Sequence, residues 1–360
     1  MDQLGLPVFV SVRPRARILR VNAGKGMNDA AARVGAYMEA IEYAAAEPSV
    51  DTTEHLPQFD VRSLIDQFPT KHRFIDLVPR LGEIVRLDDR LSCVSCESLA
   101  SRTNVWFPAQ LIYLPFRRRG EKNIFGGSTN GLASGNSRDE ASLHSLFEIA
   151  ERDAVSMGCA RRDQKLVRLD TLPRDILSII EVWVANGFEV EVLFLESDFD
   201  LPCFQVLIIE KHSGTVRGSM GTGCHADPQI ALTRALTEAA QSRLSHIHGG
   251  RDDIVHYFDG QLDRNSALDE LRWRFARSPA IQFSDVTTPT FWRGGHNISL
   301  LFETAVDHVK RCGFDEIYRF EFAPMHCSLN VVKLVIPRAE HIEHNLKRMG
   351  PRLMRAVLND

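Results

Sequence analysis

Two stretches of this chain place glutamates three residues apart inside otherwise apolar runs. In GAYMEAIEYAAAE these are Glu39 and Glu42, among Tyr37, Met38, Ile41 and Ala44; in EASLHSLFEIAERDA they are Glu148 and Glu151, among Leu143, Leu146, Phe147, Ile149 and Ala150. On a helix, residues three apart lie one above the other on one face. Two carboxylates about 5 Å apart, at an effective dielectric near 20, repel by roughly 3 kcal/mol. Something positive must answer them. If the two helices face each other, four carboxylates converge into a set of oxygen donors suited to a hard divalent cation, which is commonly shared with substrate phosphates. Magnesium with a nucleotide is therefore the expected ligand. Either pair alone reads more readily as a helix edge, solvated or matched to a nearby Lys or Arg; the repetition and the preceding Gly/Asn loop favour the site.

These residues need helices to carry them. Ser137 with Glu140 has the form of a capping box, so the central helix should start there and run to about Gly158, behind the glycine- and polar-rich loop that opens at Gly126. The first helix should begin near Asn28 and end before Pro48, with Lys25 in the loop NAGKG at its head. GKG is not a phosphate-binding GxxxxGK[ST] loop, which occurs nowhere in the chain. LPVFVSV and RILRV read as strands joined by RPRA, whereas residues 48–90 show no clear pattern and DTTEHLP reads as a loop. NVWFPAQLIYLPF is expected to be extended, with Pro108 and Pro115 restricting it to an edge or bulge. RDILSIIEVWVANG has helical period; FEVEVLFLE, CFQVLIIE and VRGSMGTGC follow as strands. From Asp227 a helix returns, with Arg234 and Glu238 spaced as an intrahelical ion pair worth a few tenths of a kcal/mol. LLFETAVDHVKRCG predicts another helix, EIYRFEFA and NVVKLVIP strands, and the tail from Glu340 a basic amphipathic helix. Helices and strands alternate irregularly, which makes the class α+β, with mixed or antiparallel sheets packed against helices.

Composition narrows the setting. A chain of 360 residues with 44% hydrophobic content can bury a large core, as one domain or two joined halves. No apolar run reaches eighteen residues and the start lacks a basic segment with a cleavage site, so neither a membrane span nor a secretory signal is expected, and the cytoplasm is the default. A net charge of -4 gives no reason to expect nucleic acid, although RRRGEK is a local basic cluster. Seven cysteines, odd in number and irregularly spaced, point to free thiols. Cys93 and Cys96 form a CxxC without the second pair that a zinc site needs, and read as small residues on or near a strand.

STNGLASGN, EASLHSLFEIAERDA, ALTRALTEAAQSRL and GGRDD, with GKG and ARVGAYMEAIE before them, resemble the YcaO family in order and spacing, over residues 4 to 337. The resemblance implies a single YcaO domain over 1–360, whose helices enclose an ATP pocket, and ATP-dependent activation of peptide backbone amides. It implies that Glu39, Glu42, Glu148 and Glu151 hold magnesium ions bridging the phosphates. Asn136 and Glu140 match polar residues that line the pocket, Arg152 a residue that touches phosphate, and Lys25, Arg234 and Glu238 further nucleotide contacts. Gln241 and Arg243 fall in the same motif without an assigned contact.

An amide oxygen leaves poorly, so replacing it requires its phosphorylation after a nucleophile has added to the carbon. A Cys, Ser or Thr side chain as nucleophile gives an azoline; sulfide gives a thioamide. The chain ends RAVLND where azoline-forming members often carry PxPxP, which tilts the expectation to thioamidation. Gly35 stands where the family usually has Ser, Tyr43 where many members have Arg, and Pro337-Arg338 replaces Pro-Gly. Against the resemblance, the chain is also expected to lack the N-terminal stretch of many relatives and a fused E1-like domain. A separate recruiting partner, TfuA-like or E1-like, is expected, as is a homodimer; the C-terminal Lys347, Arg348, Arg352 and Arg355 could dock an acidic partner or form a solvated face. A catalytically silent scaffold is the competing expectation. A role in RNA or ribosomal-protein modification has no support in the sequence.

Overall fold

A computed structural model describes residues 2–68, 73–211, 218–249, 278–294, 297–323, 329–342 and 347–358. The chain divides into two compact units, one of Met1–Ala40 with Arg162–Arg293 and one of Ile41–Arg161 with Gly294–Asp360.

The first unit opens with the antiparallel pair β1 (Val8–Val12) and β2 (Val21–Lys25). β2 lies later than RILRV suggested, and Lys25 is its last residue rather than part of a loop. The reason is the approach of helix α1 (Asp29–Ala46), which requires a strand residue without a side chain at Gly24: a Cβ there would fall 2.0 Å from the Ala36 nitrogen and 2.1 Å from the Ala32 carbonyl oxygen. Gly24→Ala is therefore expected to cost about 3 kcal/mol, the upper range for overpacking, because backbone rather than a rotatable side chain must move. Denaturant unfolding checks this, and a loss below about 0.5 kcal/mol would mean that the helix is free to shift. Asn28 caps α1, its Oδ1 accepting from the Ala31 N–H at 2.9 Å.

The rest of this unit is a five-stranded sheet in the order β10-β9-β8-β7-β11, where β7 is Lys165–Val167, β8 Phe188–Leu195, β9 Cys203–Glu210, β10 Gly218–Cys224 and β11 Ala280–Ile281. All its pairs are antiparallel except β7 with β11. The alternation in FEVEVLFLE turns Phe188, Val190 and Val192 onto one face, where α5 (Arg174–Ala185) and α6 (Pro228–His248) cover them. Gly187, at φ 87°, turns the chain from α5 into β8. In β10, Gly221 and Gly223 let the α6 backbone come within 2.1–2.3 Å of where a Cβ would stand.

In the second unit a sheet runs β3-β4-β12-β13-β6, with β5 paired to β4 and every pair antiparallel. The strands are β3 Gln58–Asp60, β4 Arg90–Ser98, β5 Asn104–Pro108, β6 Leu132–Gly135, β12 Tyr318–Glu321 and β13 Asn330–Val335. Helix α4 (Arg138–Arg161) packs on β6 and β13 and is flanked by α7 (Ile298–Arg311) and α8 (Pro351–Leu358). A core built on Phe107, Phe125, Leu91 and Tyr318 takes in Ala46 at the end of α1. The α+β expectation holds.

Several local expectations are corrected. DTTEHLP is mostly helix, α2 (Val50–His55), because the Ser49 hydroxyl accepts from the Thr52 N–H and starts it; α3 (Val61–Gln67) follows with Asp60 as cap. Of NVWFPAQLIYLPF only Asn104–Pro108 is strand, and Ala109–Leu111 is a 3-10 turn. Among the described residues of the tail the helix is Pro351–Leu358, and Glu340 closes its N-terminus from outside, accepting from the N–H groups of Gly350, Arg352 and Leu353 at 2.7–3.0 Å. Residues 250–253 of GGRDD, Val216 and Arg217 of VRGSMGTGC, and Cys327 lie outside the described residues.

Cys93 and Cys96 sit buried on β4 as free thiols. Burial pushes the Cys93 thiol up to about 12 and raises Cys96 as well. Alkylation of the native protein at pH 8 should therefore label the exposed Cys159 and spare both, because the thiolate is the reactive form. Peptide mass mapping reads this, and early labelling of Cys93 would contradict its burial.

Candidate functional site

In the first unit, Glu39 on α1 accepts the Ala23 N–H at 2.6 Å, so this carboxylate is anchored to β2. Lys25, at the end of that strand, forms an ion pair with Glu238 of α6. Glu238 also accepts from Thr222 of β10, through Oγ1 at 3.2 Å and N at 3.4 Å. Gly221 makes this possible by seating α6 directly on β10. The partner seen for Glu238 is thus Lys25, 213 residues away, and not the Arg234 that intrahelical spacing suggested. Gln241, one turn beyond Glu238, donates to the Ala23 carbonyl at 2.7 Å and ties α6 to β2. Arg243 is structural: buried, over the Phe188 ring, and paired with Asp2 and Glu210 at 3.1 and 3.2 Å.

At the head of α1 and the flank of α6 an open pocket of about 420 Å3 is lined by Lys25, Gly26, Met27, Thr233 and Arg234, among others. Arg234, one of these lining residues, has its Nε buried and without a hydrogen-bond partner. A buried guanidinium N–H left unpaired costs free energy that an anionic ligand would return. The volume lies in the range of small-molecule sites.

The second unit carries the other half of the expected residues. Glu42 accepts from the Ser134 hydroxyl of β6 at 2.5 Å. The glycine- and polar-rich stretch before the central helix is therefore partly a buried strand, which pairs with β13. Ser137 caps α4, accepting from the Glu140 N–H at 3.1 Å, whereas the Glu140 carboxylate returns to Asn136, at N (3.0 Å) and Nδ2 (3.2 Å). The capping box is present but displaced by one residue. Glu151 is 4% exposed and Glu148 half-buried on the same helix. Ser134 and Thr222, which hold Glu42 and Glu238, had no signal beyond lying in glycine-rich stretches.

The donor set fits magnesium: these are carboxylate oxygens, with neither thiolate nor imidazole among them. Among the described residues no three His, Cys, Asp or Glu gather closely enough to hold a metal by themselves. Mg2+ does not require that, since it keeps waters and takes oxygens from phosphate beside one or two carboxylates.

A family model described as "YcaO cyclodehydratase, ATP-ad Mg2+-binding" matches residues 23–340. The chain belongs to the YcaO family. A YcaO relative encoded in the tfuA 3′ region of Rhizobium leguminosarum bv. trifolii is 30% identical over 359 residues, covering 94% of this chain and 81% of its own. YcaO from Methanopyrus kandleri, solved with AMPPCP and Mg2+, superposes with a TM-score of 0.72 at 22% identity, over 98% of this chain and 88% of that one. A heterocyclase solved with substrate and cofactor gives 0.73 at 21% identity over 93% of this chain, which spans 46% of that protein's length. The YcaO fold is thereby shared with both.

The basic C-terminal residues of this YcaO protein turn inward in part. Arg352 pairs with the fully buried Asp153 of α4, and Arg348 donates to the carbonyls of Leu77 and Val78. They are structural ties and not a free docking face. No described helix is long and apolar enough to cross a membrane.

Proposed function

We propose that this YcaO protein activates a backbone amide of a peptide or protein by ATP- and Mg2+-dependent O-phosphorylation, with a thioamide as product. The observation that carries the nucleotide part is the buried, unpartnered Arg234 Nε beside Lys25 in a pocket of about 420 Å3. Glu39, Glu42, Glu148 and Glu151 hold magnesium in this reading. Lys25, Arg152 and Arg234 meet phosphate charge; Asn136, Glu140 and Glu238 order the nucleotide's surroundings. ATP supplies the phosphoryl group that turns the amide oxygen into a leaving group. The chain's own part is to position the amide and neutralise charge, the terms that dominate phosphoryl transfer.

Thioamidation is supported by the likeness to a protein of a tfuA region, and with it a TfuA-like recruiting partner rather than an E1-like one. The enzyme would act in the cytoplasm, as a homodimer. Azoline formation is the second reading, favoured by the family's description as a cyclodehydratase.

The test incubates the chain with ATP, Mg2+, sulfide, a candidate precursor peptide and its partner, and weighs the peptide. Exchange of one oxygen for sulfur supports the proposal, and loss of water supports the azoline reading. A chain that binds no nucleotide even in the full mixture is a scaffold.

A further inference from the structure

Residues 8–12, VFVSV, form β1 of the first unit, in a two-stranded sheet with β2. The Arg13 N–H donates to the Arg20 carbonyl at 2.8 Å, which sets the phase of the ladder. Bonded and unbonded pairs alternate between antiparallel strands, so Phe9 and Ser11 bond to β2, whereas Val8, Val10 and Val12 turn their N–H and C=O groups outward. The same rule sends the Ala23 groups out of the far side of β2. There they are met, the N–H by Glu39 at 2.6 Å and the carbonyl by Gln241 at 2.7 Å. Among the described residues nothing meets those of Val8, Val10 and Val12.

Side chains alternate likewise. The Arg33 guanidinium of α1 stands over the Phe9 ring at 5.1 Å and Ser11 donates to the Ala36 carbonyl at 2.7 Å, so that face belongs to α1. The other face shows Val10 and Val12, 44% and 61% exposed. A continuous edge of apolar β-formers, with no Lys, Pro or bulge in it, is what proteins ordinarily avoid, because it pairs with extended chains. Left in this state, it is a template for one.

Charge narrows what that occupant is. Residues 3–28 hold Arg13, Arg15, Arg17, Arg20 and Lys25 but no Asp or Glu, in a chain of net charge -4. Arg15 and Arg20, on the turn between β1 and β2, are exposed and form no ion pair among the described residues. An acidic segment is favoured over a second copy of this edge, which would bring the same cations with it.

We propose that the outer edge of β1 docks an acidic, extended segment of the substrate polypeptide as a third strand; the inference rests on the reading of this protein as a peptide-modifying enzyme. Main-chain hydrogen bonds to Val8, Val10 and Val12 supply affinity, the exposed valines favour apolar side chains at alternate positions, and the arginines favour acid. Position supports the substrate over any other partner. Val8 stands opposite Lys25, which lines the pocket of about 420 Å3, so a docked strand passes about 10 Å from the strand end that bears Lys25, at two strand spacings. A few further residues of extended chain reach the pocket. The arginine turn lies at the other end of β1, which holds the acidic part away from the phosphates and leads the rest toward them.

The test uses the full chain without ATP and a fluorescein-labelled nine-residue peptide of alternating Val and Glu, with its Val–Lys counterpart. Fluorescence anisotropy should show the Glu peptide bound and the Lys peptide at least about tenfold weaker. Val10→Pro removes one outward N–H and leaves the bonds between β1 and β2 whole, since Val10 takes no part in them. It should weaken the Glu peptide about tenfold, with MgATP binding unchanged. Arg15→Glu combined with Arg20→Glu is the second variant should Val10→Pro fail to fold, and it should abolish the preference for the Glu peptide. In turnover Val10→Pro should raise the KM for the precursor peptide and not that for ATP. Equal binding of the two peptides, or undiminished binding to the folded variants, overturns the proposal. So does a wild-type dimer that Val10→Pro dissociates, which assigns the edge to a second copy. Failure of the peptide-modification reading shows separately, as a precursor that docks through Val10 and keeps its mass with ATP.

Discussion

Replacing Glu148 by glutamine is expected to lower Mg2+-dependent ATP consumption by at least about a hundredfold, the scale at which removal of a group that stabilises developing charge is felt. The substitution keeps shape and one oxygen but removes the negative charge that a hard cation requires. Glu148 is half-buried on α4, so the fold should tolerate an isosteric amide. Glu39→Gln is the companion variant. Its oxygen can still accept the Ala23 N–H, which lies at 2.6 Å from the carboxylate, so any loss of function would report charge and not local unfolding. Calorimetry of MgATP binding with both variants separates the cases. Loss in both places the two carboxylate pairs in service of one nucleotide. If Glu148→Gln turns over ATP within about threefold of wild type, the assignment of magnesium to α4 is wrong.

The largest effect on stability is expected at Asp153. Two residues beyond Glu151, this side chain is fully buried, and its oxygens meet Arg352 Nη1 at 2.6 Å, Arg352 Nη2 at 3.1 Å and the Glu340 N–H at 2.7 Å. Arg352 also lies over the Phe314 ring, 5.0 Å from its centroid. Asp153→Ala leaves a guanidinium buried without its counter-charge, which typically costs 3–5 kcal/mol, a large part of the 5–15 kcal/mol that holds a domain together. Pairing it with Arg352→Met should recover much of the loss, because removing both charges also removes their desolvation penalty. Denaturant unfolding of the two single variants and the double one measures this coupling. A single-variant loss below about 1 kcal/mol would mean that water reaches the pair.

Glu340 belongs to the same arrangement. Its carboxyl is raised above the ordinary glutamate value, burial being the main cause, against the opposing pull of the Leu353 and Gly350 N–H groups and of Arg352. A carboxyl raised on folding favours the folded state most when protonated, so its contribution to stability declines as pH rises from the unfolded value through the folded one. The closing of α8 by Glu340 thus runs against solvation, and the N–H groups it satisfies are what hold it there.

The order of motifs made the family and the α+β class legible before any coordinates, because glycine spacing, capping residues and apolar period are local properties of the chain. The ExxE pairs were visible for the same reason. So were the central helix start at Ser137 and the strand FEVEVLFLE, where cap and alternation are each written within a few residues. What local pattern missed were features set by a partner distant in sequence. The place of β2 is not written locally because its one glycine, Gly24, matters only against α1, and the helix at Val50 has no periodic signal because the Ser49 cap starts it.

The sequence by itself determined which residues could do chemistry and on which helices they ride. Only the tertiary structure decided their partners. Arg234 and Glu238 are spaced to pair, yet the strand end bearing Lys25 takes Glu238, and the Arg234 Nε stays unpartnered at the pocket. The basic tail reads as a surface, yet Arg348 and Arg352 are drawn into carbonyls and a buried aspartate. Helical spacing fixes which groups are near one another along the chain, whereas a charge removed from water must find its counterpart wherever packing brings one.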